Sequence, residues 1–180
     1  ENANVTNKLY YAEALRANQK YADAKVYYKL YSDAVPTDNS VKDRLKGIDK
    51  LEELLLTVQK PARYIGGEWN AVKKEWAEDK VKVLLAFPDV YEVGMSYLGL
   101  KILYGILNKR DDCLCERVFA PWIDFEGVLR KNNIELFSLE SRRPIKEFDI
   151  IGFSLPYELD HTNVLNILNL GGIPKKSSER

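Results

Sequence analysis

The fold is decided by residues 81–96, which read VKVLLAFPDVYEVGMS. The first seven residues form an apolar run that only Lys82 interrupts, and such runs are typical of strands covered on both faces. Pro88 ends the strand, and Ser96 is placed to cap a following helix. The stretch therefore predicts a strand, a turn and a helix, which is the repeating unit of a parallel α/β sheet.

The same pattern of strand and helix continues along the chain. Predicted strands cover 81–87, 113–119, 134–139 and 148–155, and the helices between and after them begin at Ser96, Asp124 and Asp160. This alternation predicts a parallel sheet with right-handed crossovers. Sheets of this class usually place the first and fourth strands side by side, so we expect the loops that follow these two strands to share one edge.

The N-terminal part has a different composition, because residues 1–46 contain no glycine. The pattern there predicts two helices, at about 7–17 and 22–34. Ala12 and Ala24 are small enough to let these helices approach closely.

A third helix is predicted from Ser40 to Val58 by apolar residues at spacings of three and four. It crosses the change in composition, so we expect it to be continuous and to join the two halves rigidly. The predicted domains are a helical segment, 1–50, and an α/β domain, 51–180.

Composition and charge exclude several classes of protein. The 180 residues carry 27 basic and 27 acidic side chains, which argues against nucleic acid held by phosphate contacts. No apolar run approaches the ~18 residues of a membrane span, and no stretch reads as a signal peptide. Cys113 and Cys115 share one face of a predicted strand and make a poor metal site. We therefore expect buried free thiols in a reducing compartment, and a cytoplasmic protein.

Candidate ligand contacts lie in the loops after the first and fourth strands, because open parallel sheets bind ligands beyond the carboxyl ends of their strands. Gly94 is expected to take a positive φ and let the backbone approach a ligand, and Ser96 to offer its hydroxyl at a helix N-terminus. The candidate ligand-binding residues are Asp89, Tyr91, Glu92, Gly94, Met95, Ser96, Ser154, Tyr157 and Glu158. The alternative is that these residues only close turns.

Signals for catalysis are weaker. Glu140 and Glu158 form an acid–base pair only if the sheet order brings them together. The single histidine, His161, is expected to be a helix N-terminal residue rather than a catalyst. We assign no catalytic residue and no metal ligand.

Residues 60–70, KPARYIGGEWN, contain glycines, aromatic residues and mixed charges without periodicity. We interpret them as an ordered extended arm that packs against the α/β domain. Trp69 and Trp76 are the expected anchors of this arm.

Residues 51–180 resemble the amino-terminal part of a family of radical SAM proteins of unassigned function. The resemblance is carried by KPARYIGGEWNAV (60–72), AFPDVYEVGMSYLGLKILYGILN (86–108), ERVFAPW (116–122), LFSLESRRP (136–144) and DIIGFSLPYEL (149–159). It implies a Rossmann-like, cobalamin-binding-type domain placed before a radical SAM barrel. S-adenosylmethionine and a [4Fe–4S] cluster would belong to that barrel, which these residues do not include.

Two features depart from the family pattern. Cobalamin domains that supply a lower axial ligand use the histidine of an Asp-x-His-x-x-Gly loop, whereas the loop 89–94 carries Tyr91 at that position. Histidine ligation is therefore not implied, and other modes of cobalamin binding remain open. Domains of this type also continue with another strand and helix, so we expect a truncated sheet with an unfilled edge.

Residues 5–38 resemble a single tetratricopeptide repeat, which implies a protein partner for this segment. The residues that match the motif are Ala12, Tyr21, Ala24, Tyr28 and Pro36. The alternative is a generic helical hairpin, because one repeat cannot bury a solenoid core.

The predicted fold class is α/β, with a Rossmann-like parallel-sheet domain after an N-terminal helical hairpin. The leading hypothesis is an accessory domain of a radical SAM protein that positions a substrate or corrinoid and is not catalytic by itself. A second hypothesis is a tetratricopeptide-type interaction module on an α/β scaffold. A third is a small enzyme that uses the carboxylates of the crevice.

Overall fold

The structure is a computed structural model that describes residues 2–17, 21–38, 41, 50–51 and 53–179. The chain divides into two compact units, Glu1–Val58 and Gln59–Arg180. No helix in the described ranges is long and apolar enough to cross a bilayer.

The first unit contains two helices, α1 (Asn2–Ala17) and α2 (Tyr21–Ala34). Ala12 and Ala24 are completely buried between them, which confirms that small residues allow the close approach. Tyr28 and Val41 complete the same apolar cluster.

The predicted third helix, Ser40 to Val58, lies largely outside the described residues. Its continuity and the rigid junction that it would form therefore stay predictions. Residues 50–51 and 53–55 are helical. The helical conformation ends at residue 55, earlier than predicted, because Leu56 and Thr57 form turn hydrogen bonds to the carbonyls of residues 53 and 54.

The second unit contains a three-stranded parallel sheet. Its strands are β1 (Val81–Phe87), β2 (Cys113–Phe119) and β3 (Ile150–Phe153), in the order β2-β1-β3. Val83 aligns with Cys115 on one side and with Ile150 on the other. The parallel α/β class and the pairing of the first and fourth predicted strands are thus confirmed, and β3 is an edge strand.

The predicted third strand, 134–139, is wrong as a ladder strand. A backbone hydrogen bond from Leu139 N to Arg117 O, at 2.8 Å, joins this stretch to the free edge of β2. The next donor on that edge, Arg117 N, is taken instead by the Glu140 carboxylate at 2.8 Å. The chain then turns back through Arg142, whose φ is 55°, so that Phe137 pairs with Pro144. Residues 137–144 therefore form a hairpin that we call the edge hairpin.

Five helices accompany the sheet in the described part of the second unit. They are α3 (Ala62–Ile65), α4 (Tyr91–Gly94), α5 (Leu98–Asn108), α6 (Ile123–Asn132) and α7 (Asp160–Leu170), with 3₁₀ turns at Ile145–Glu147 and Ser177–Glu179. Alternate residues of β1 pack on Leu100 and Tyr104 of α5. The intervening residues Leu84 and Ala86 are also completely buried, so both faces of β1 are covered, as predicted.

The predicted helix caps are wrong in detail. The Ser96 hydroxyl donates to Val93 O at 3.1 Å, because the short helix α4 precedes it, and α5 starts only at Leu98. Asp124 and Asp160 lie inside the first turns of α6 and α7. Carboxylates are favourable there because the N-terminal end of a helix is positive.

Both cysteines are buried on the α5 face of β2, as predicted. Burial raises the pKa of the Cys115 thiol to about 12. Such a thiol stays protonated at neutral pH and is a poor nucleophile.

Candidate functional site

The two predicted ligand loops begin side by side at the carboxyl edge of the sheet. Ala86 of β1 is the partner of Phe153 of β3, and Ser154 N donates to Ala86 O at 3.0 Å. The side-chain amide of Asn163 in α7 also donates to Pro88 O at 2.8 Å. Sheet topology thus brings the segments 89–96 and 154–158 to one edge, and their role in ligand binding stays a prediction.

Tyr91 starts α4 and turns toward the protein interior. Its ring packs edge-on against Phe119, with 5.3 Å between the centroids, and its hydroxyl donates to the carboxylate of Glu68. Burial, reinforced by Glu68, raises the pKa of Tyr91 to about 12. The side chain therefore remains a protonated hydrogen-bond donor at neutral pH.

Glu92 ties the first loop to the arm. It accepts hydrogen bonds from Arg63 Nη2 at 2.8 Å and from Lys60 Nζ at 3.0 Å. The Arg63 guanidinium, first of all, lowers the pKa of Glu92 to about 2. Both cations of the arm are thereby partly neutralised.

The expected positive φ at Gly94 is wrong. The residue ends α4, and the described glycines with positive φ are Gly66, Gly67 and Gly172. A Cβ on Gly94 would lie 2.5 Å from Phe119 Cε1 and 2.7 Å from Phe87 Cδ1. Glycine is needed here because two aromatic rings pack against the backbone.

The remaining predicted contacts are more exposed. Met95 is half-buried and Ser96 is exposed, while Asp89 accepts a hydrogen bond from Val90 N at 2.6 Å.

In the second loop, Ser154 is half-buried, Glu158 is exposed and Tyr157 is 64% exposed. No hydrogen bond between described residues joins the side chains of 89–96 to those of 154–158. Any ligand that contacts both loops would have to bridge them.

The polar centre of the second unit is a group of side chains around Arg117, which the sequence analysis missed. Arg117 Nε donates to Glu140 Oε1 at 2.7 Å, and Nη1 donates to Glu68 Oε2 at 2.9 Å. The guanidinium carbon lies 4.6 Å from the centre of the Tyr104 ring. Together with Tyr91 these residues form what we call the Arg117 cluster. The sequence indicates this cluster by one feature, the charged pair Glu116-Arg117 inside the apolar run CLCERVF (113–119).

Two carboxylates, one in this cluster and one on the neighbouring residue of β2, are buried deeply. Burial raises the pKa of Glu140, while the Arg117 guanidinium opposes the rise. Burial also raises the pKa of Glu116, whose carboxylate accepts hydrogen bonds from the hydroxyl and backbone N–H of Ser141.

The proposed acid–base pair of Glu140 and Glu158 is wrong. Glu140 lies at the outer edge of β2, and Glu158 follows β3, so the sheet separates the two carboxylates. His161 is exposed in the first turn of α7, as predicted. The described residues contain no group of three or more acidic, histidine or cysteine side chains arranged to hold a metal ion.

Of the two tryptophans predicted to anchor the arm, one packs against the α/β domain and the other does not. Trp69 is fully exposed, so its predicted role is wrong. Trp76 packs edge-on against Phe148 at 5.0 Å, as expected of an anchor. Tyr64 adds a second anchor, since its ring stacks on Phe125 with 4.0 Å between the centroids.

A small cavity lies under this stacked pair, lined among others by Arg63 and Val118. Its volume of about 20 Å³ has room for about one water molecule. This cavity is too small for a cofactor.

Comparison with known family models finds a match over part of the chain. Residues 99–180 match the family model described as "Radical SAM proteins, N-terminal". No curated protein and no solved structure matches the chain. The match runs from α5 to the second 3₁₀ turn and includes the 154–158 loop, whereas β1 and the 89–96 loop precede it. Residues 99–180 are therefore similar in sequence to the N-terminal domain of radical SAM proteins.

Proposed function

We propose that the α/β domain is an accessory domain of a radical SAM protein and that it positions a substrate or corrinoid for a separate catalytic barrel. The observation that carries the proposal is the family match over residues 99–180. The sheet supports it, because β1 and β3 end side by side and such edges are where α/β proteins bind ligands.

The cobalamin-binding form of this proposal is limited by the residues at the edge. Tyr91 replaces the histidine of the cobalamin loop, and its protonated hydroxyl is directed to Glu68. A phenol with a pKa of about 12 is a poor ligand for cobalt at neutral pH. Axial ligation by this loop does not fit, so a corrinoid would have to bind through other contacts.

Tyr157 gives a direct test of ligand binding at the edge. Because its side chain is 64% exposed, Tyr157→Ala should leave the fold intact. Tyr10→Ala is the matched control, since Tyr10 is 68% exposed and lies in the other unit. Hydroxocobalamin is titrated into the parent and both variants, with visible absorbance for binding and thermal melting for stability.

We expect Tyr157→Ala to weaken binding while its melting temperature and the binding by Tyr10→Ala remain those of the parent. If the parent binds no corrinoid, the corrinoid part of the proposal fails. If Tyr157→Ala binds as the parent does, the 154–158 loop is not part of the site.

A second candidate function belongs to the first unit, which we propose binds a protein partner as a tetratricopeptide-type module. The helical pair exposes Tyr10, Tyr11 and Val26 to solvent, each by more than half of its surface. Cross-linking pull-downs with the parent and with Tyr10→Ser/Val26→Ser would test this role. A partner captured equally by both proteins would contradict it.

A further inference from the structure

One terminal nitrogen of Arg117 is left unused by its cluster. Within the described part of the chain, Nη2 is buried and has no hydrogen-bond partner. The side chain as a whole is only 6% exposed. Buried donors are nearly always paired in native proteins, so this nitrogen requires an explanation.

The two carboxylates on Arg117 hold it in different ways. Glu140 is 2% exposed and takes both Nε and the backbone N–H of Arg117. Glu68 is 25% exposed and takes Nη1 alone, while its other oxygen accepts from the Tyr91 hydroxyl. A bidentate carboxylate at the end of a guanidinium would use both terminal nitrogens. Glu68 therefore engages one of the two terminal nitrogens.

The backbone just before Glu68 contains a pair of glycines. These are Gly66 and Gly67, whose φ angles are 63° and 82°, and glycine changes between such conformations at little cost. Trp69, the next residue, is fully exposed. Release of Glu68 would break its hydrogen bonds to Arg117 and Tyr91. It would cost no apolar burial at Trp69, because that side chain already lies in solvent.

We propose that the end of the Arg117 guanidinium is a binding site for the carboxylate of a small-molecule ligand. In the absence of ligand, the Glu68 carboxylate occupies this site. The ligand carboxylate takes Nη1 and Nη2 together and accepts a hydrogen bond from Tyr91. Glu140 stays in place. One carboxylate replaces another, so the buried guanidinium keeps the same number of counter-charges. This inference does not rest on the proposed accessory function.

The test is an NMR titration of the parent, Glu68→Ala and Glu78→Ala with sodium acetate and sodium succinate, with total ionic strength held constant by sodium chloride. Glu78→Ala is the matched control, because Glu78 is exposed and its replacement also removes one negative charge. The Arg117 amide reports binding, and the Trp69 indole N–H reports displacement of the arm.

We expect Glu68→Ala to bind carboxylate about tenfold more tightly than the parent, because a tethered competitor that leaves the site free about one tenth of the time lowers the apparent affinity by that factor. Glu78→Ala should bind as the parent does. Tyr91→Phe in the Glu68→Ala background should weaken binding about threefold or more, through the loss of one hydrogen bond. In the parent, the Trp69 signal should shift together with that of the Arg117 amide.

Equal carboxylate affinity for Glu68→Ala and Glu78→Ala would overturn the proposal. A parallel titration with inorganic phosphate tests the ligand class, and preference for phosphate over both carboxylates would also overturn it. The dispersion of the amide spectrum establishes that each variant is folded. If Glu68→Ala does not fold, Glu68→Gln replaces it, and the same comparison with Glu78→Ala decides.

Discussion

Replacement of Gly94 by alanine is expected to destabilise the second unit by about 1–3 kcal/mol, the usual cost of overpacking a core. The added Cβ would meet Phe119 at 2.5 Å and Phe87 at 2.7 Å. Both rings are buried in the cluster beneath α5, and Tyr91 packs on Phe119. The cavity beside Phe119, about 20 Å³, has room for about one water molecule, so the ring can move only slightly. The better helix propensity of alanine, up to about 1 kcal/mol, offsets only part of this cost.

The chain provides a matched control in Gly105→Ala. Gly105 lies inside α5 and has nothing within 4 Å of an added Cβ. This substitution should therefore stabilise the unit by about 0.5–1 kcal/mol.

Urea unfolding followed by tryptophan fluorescence measures the second unit alone, since all three tryptophans, Trp69, Trp76 and Trp122, belong to it. A Gly94→Ala chain at least as stable as the parent would refute the packing argument. It would also restore the interpretation of Gly94 as a point of ligand approach.

Three further predictions follow from the same contacts. Glu140→Ala should lower stability by about 3–5 kcal/mol, because it removes the main counter-ion of the buried Arg117; urea unfolding within 1 kcal/mol of the parent would contradict this. The pKa of Glu92 is lowered to about 2, so its stabilising contribution is complete above pH 4.5 and is lost as the pH falls toward 2. Glu92→Gln should remove that part of the acid dependence in melts between pH 2 and 5, and the effect should stay below about 1 kcal/mol because the side chain is 42% exposed. Anaerobic reconstitution should load no iron–sulfur cluster, because the chain has two cysteines and a cluster needs about four thiolates; a stoichiometric cluster in the absorbance spectrum would disprove it.

The parts of the fold that could be predicted are those set by local pattern. The continuous apolar run of β1 and the alternation with α5 identify a covered parallel strand and its crossover helix. The prediction of a third strand over 134–139 was wrong. The apolar residues of this stretch have the pattern of a strand, although the stretch is not part of the sheet ladder. Its docking on β2 is instead set by distant polar contacts, among them the hydrogen bond from Arg117 N to the Glu140 carboxylate, 23 residues away.

The candidate site could be predicted only as an edge of the sheet. Topology rules place the 89–96 and 154–158 loops together, and the structure does so. The orientation of two side chains in the first loop depends on the arm, because Tyr91 is hydrogen-bonded to Glu68 and Glu92 to Arg63. These contacts could not be predicted, because residues 60–70 show no periodicity that indicates which side chains face the domain.

The charges of β2 determine how the edge hairpin docks on it. Neighbouring residues of a strand point to opposite faces, so Glu116 and Arg117 need partners on different sides of the sheet. Glu140 and Ser141, also neighbours, supply them: Glu140 binds Arg117, and Ser141 donates to Glu116. A shift of one residue would bring Glu140 to Glu116 and leave Arg117 without its main counter-ion, which would be strongly unfavourable for buried groups. The polar pairs therefore select a single register for the edge hairpin on β2.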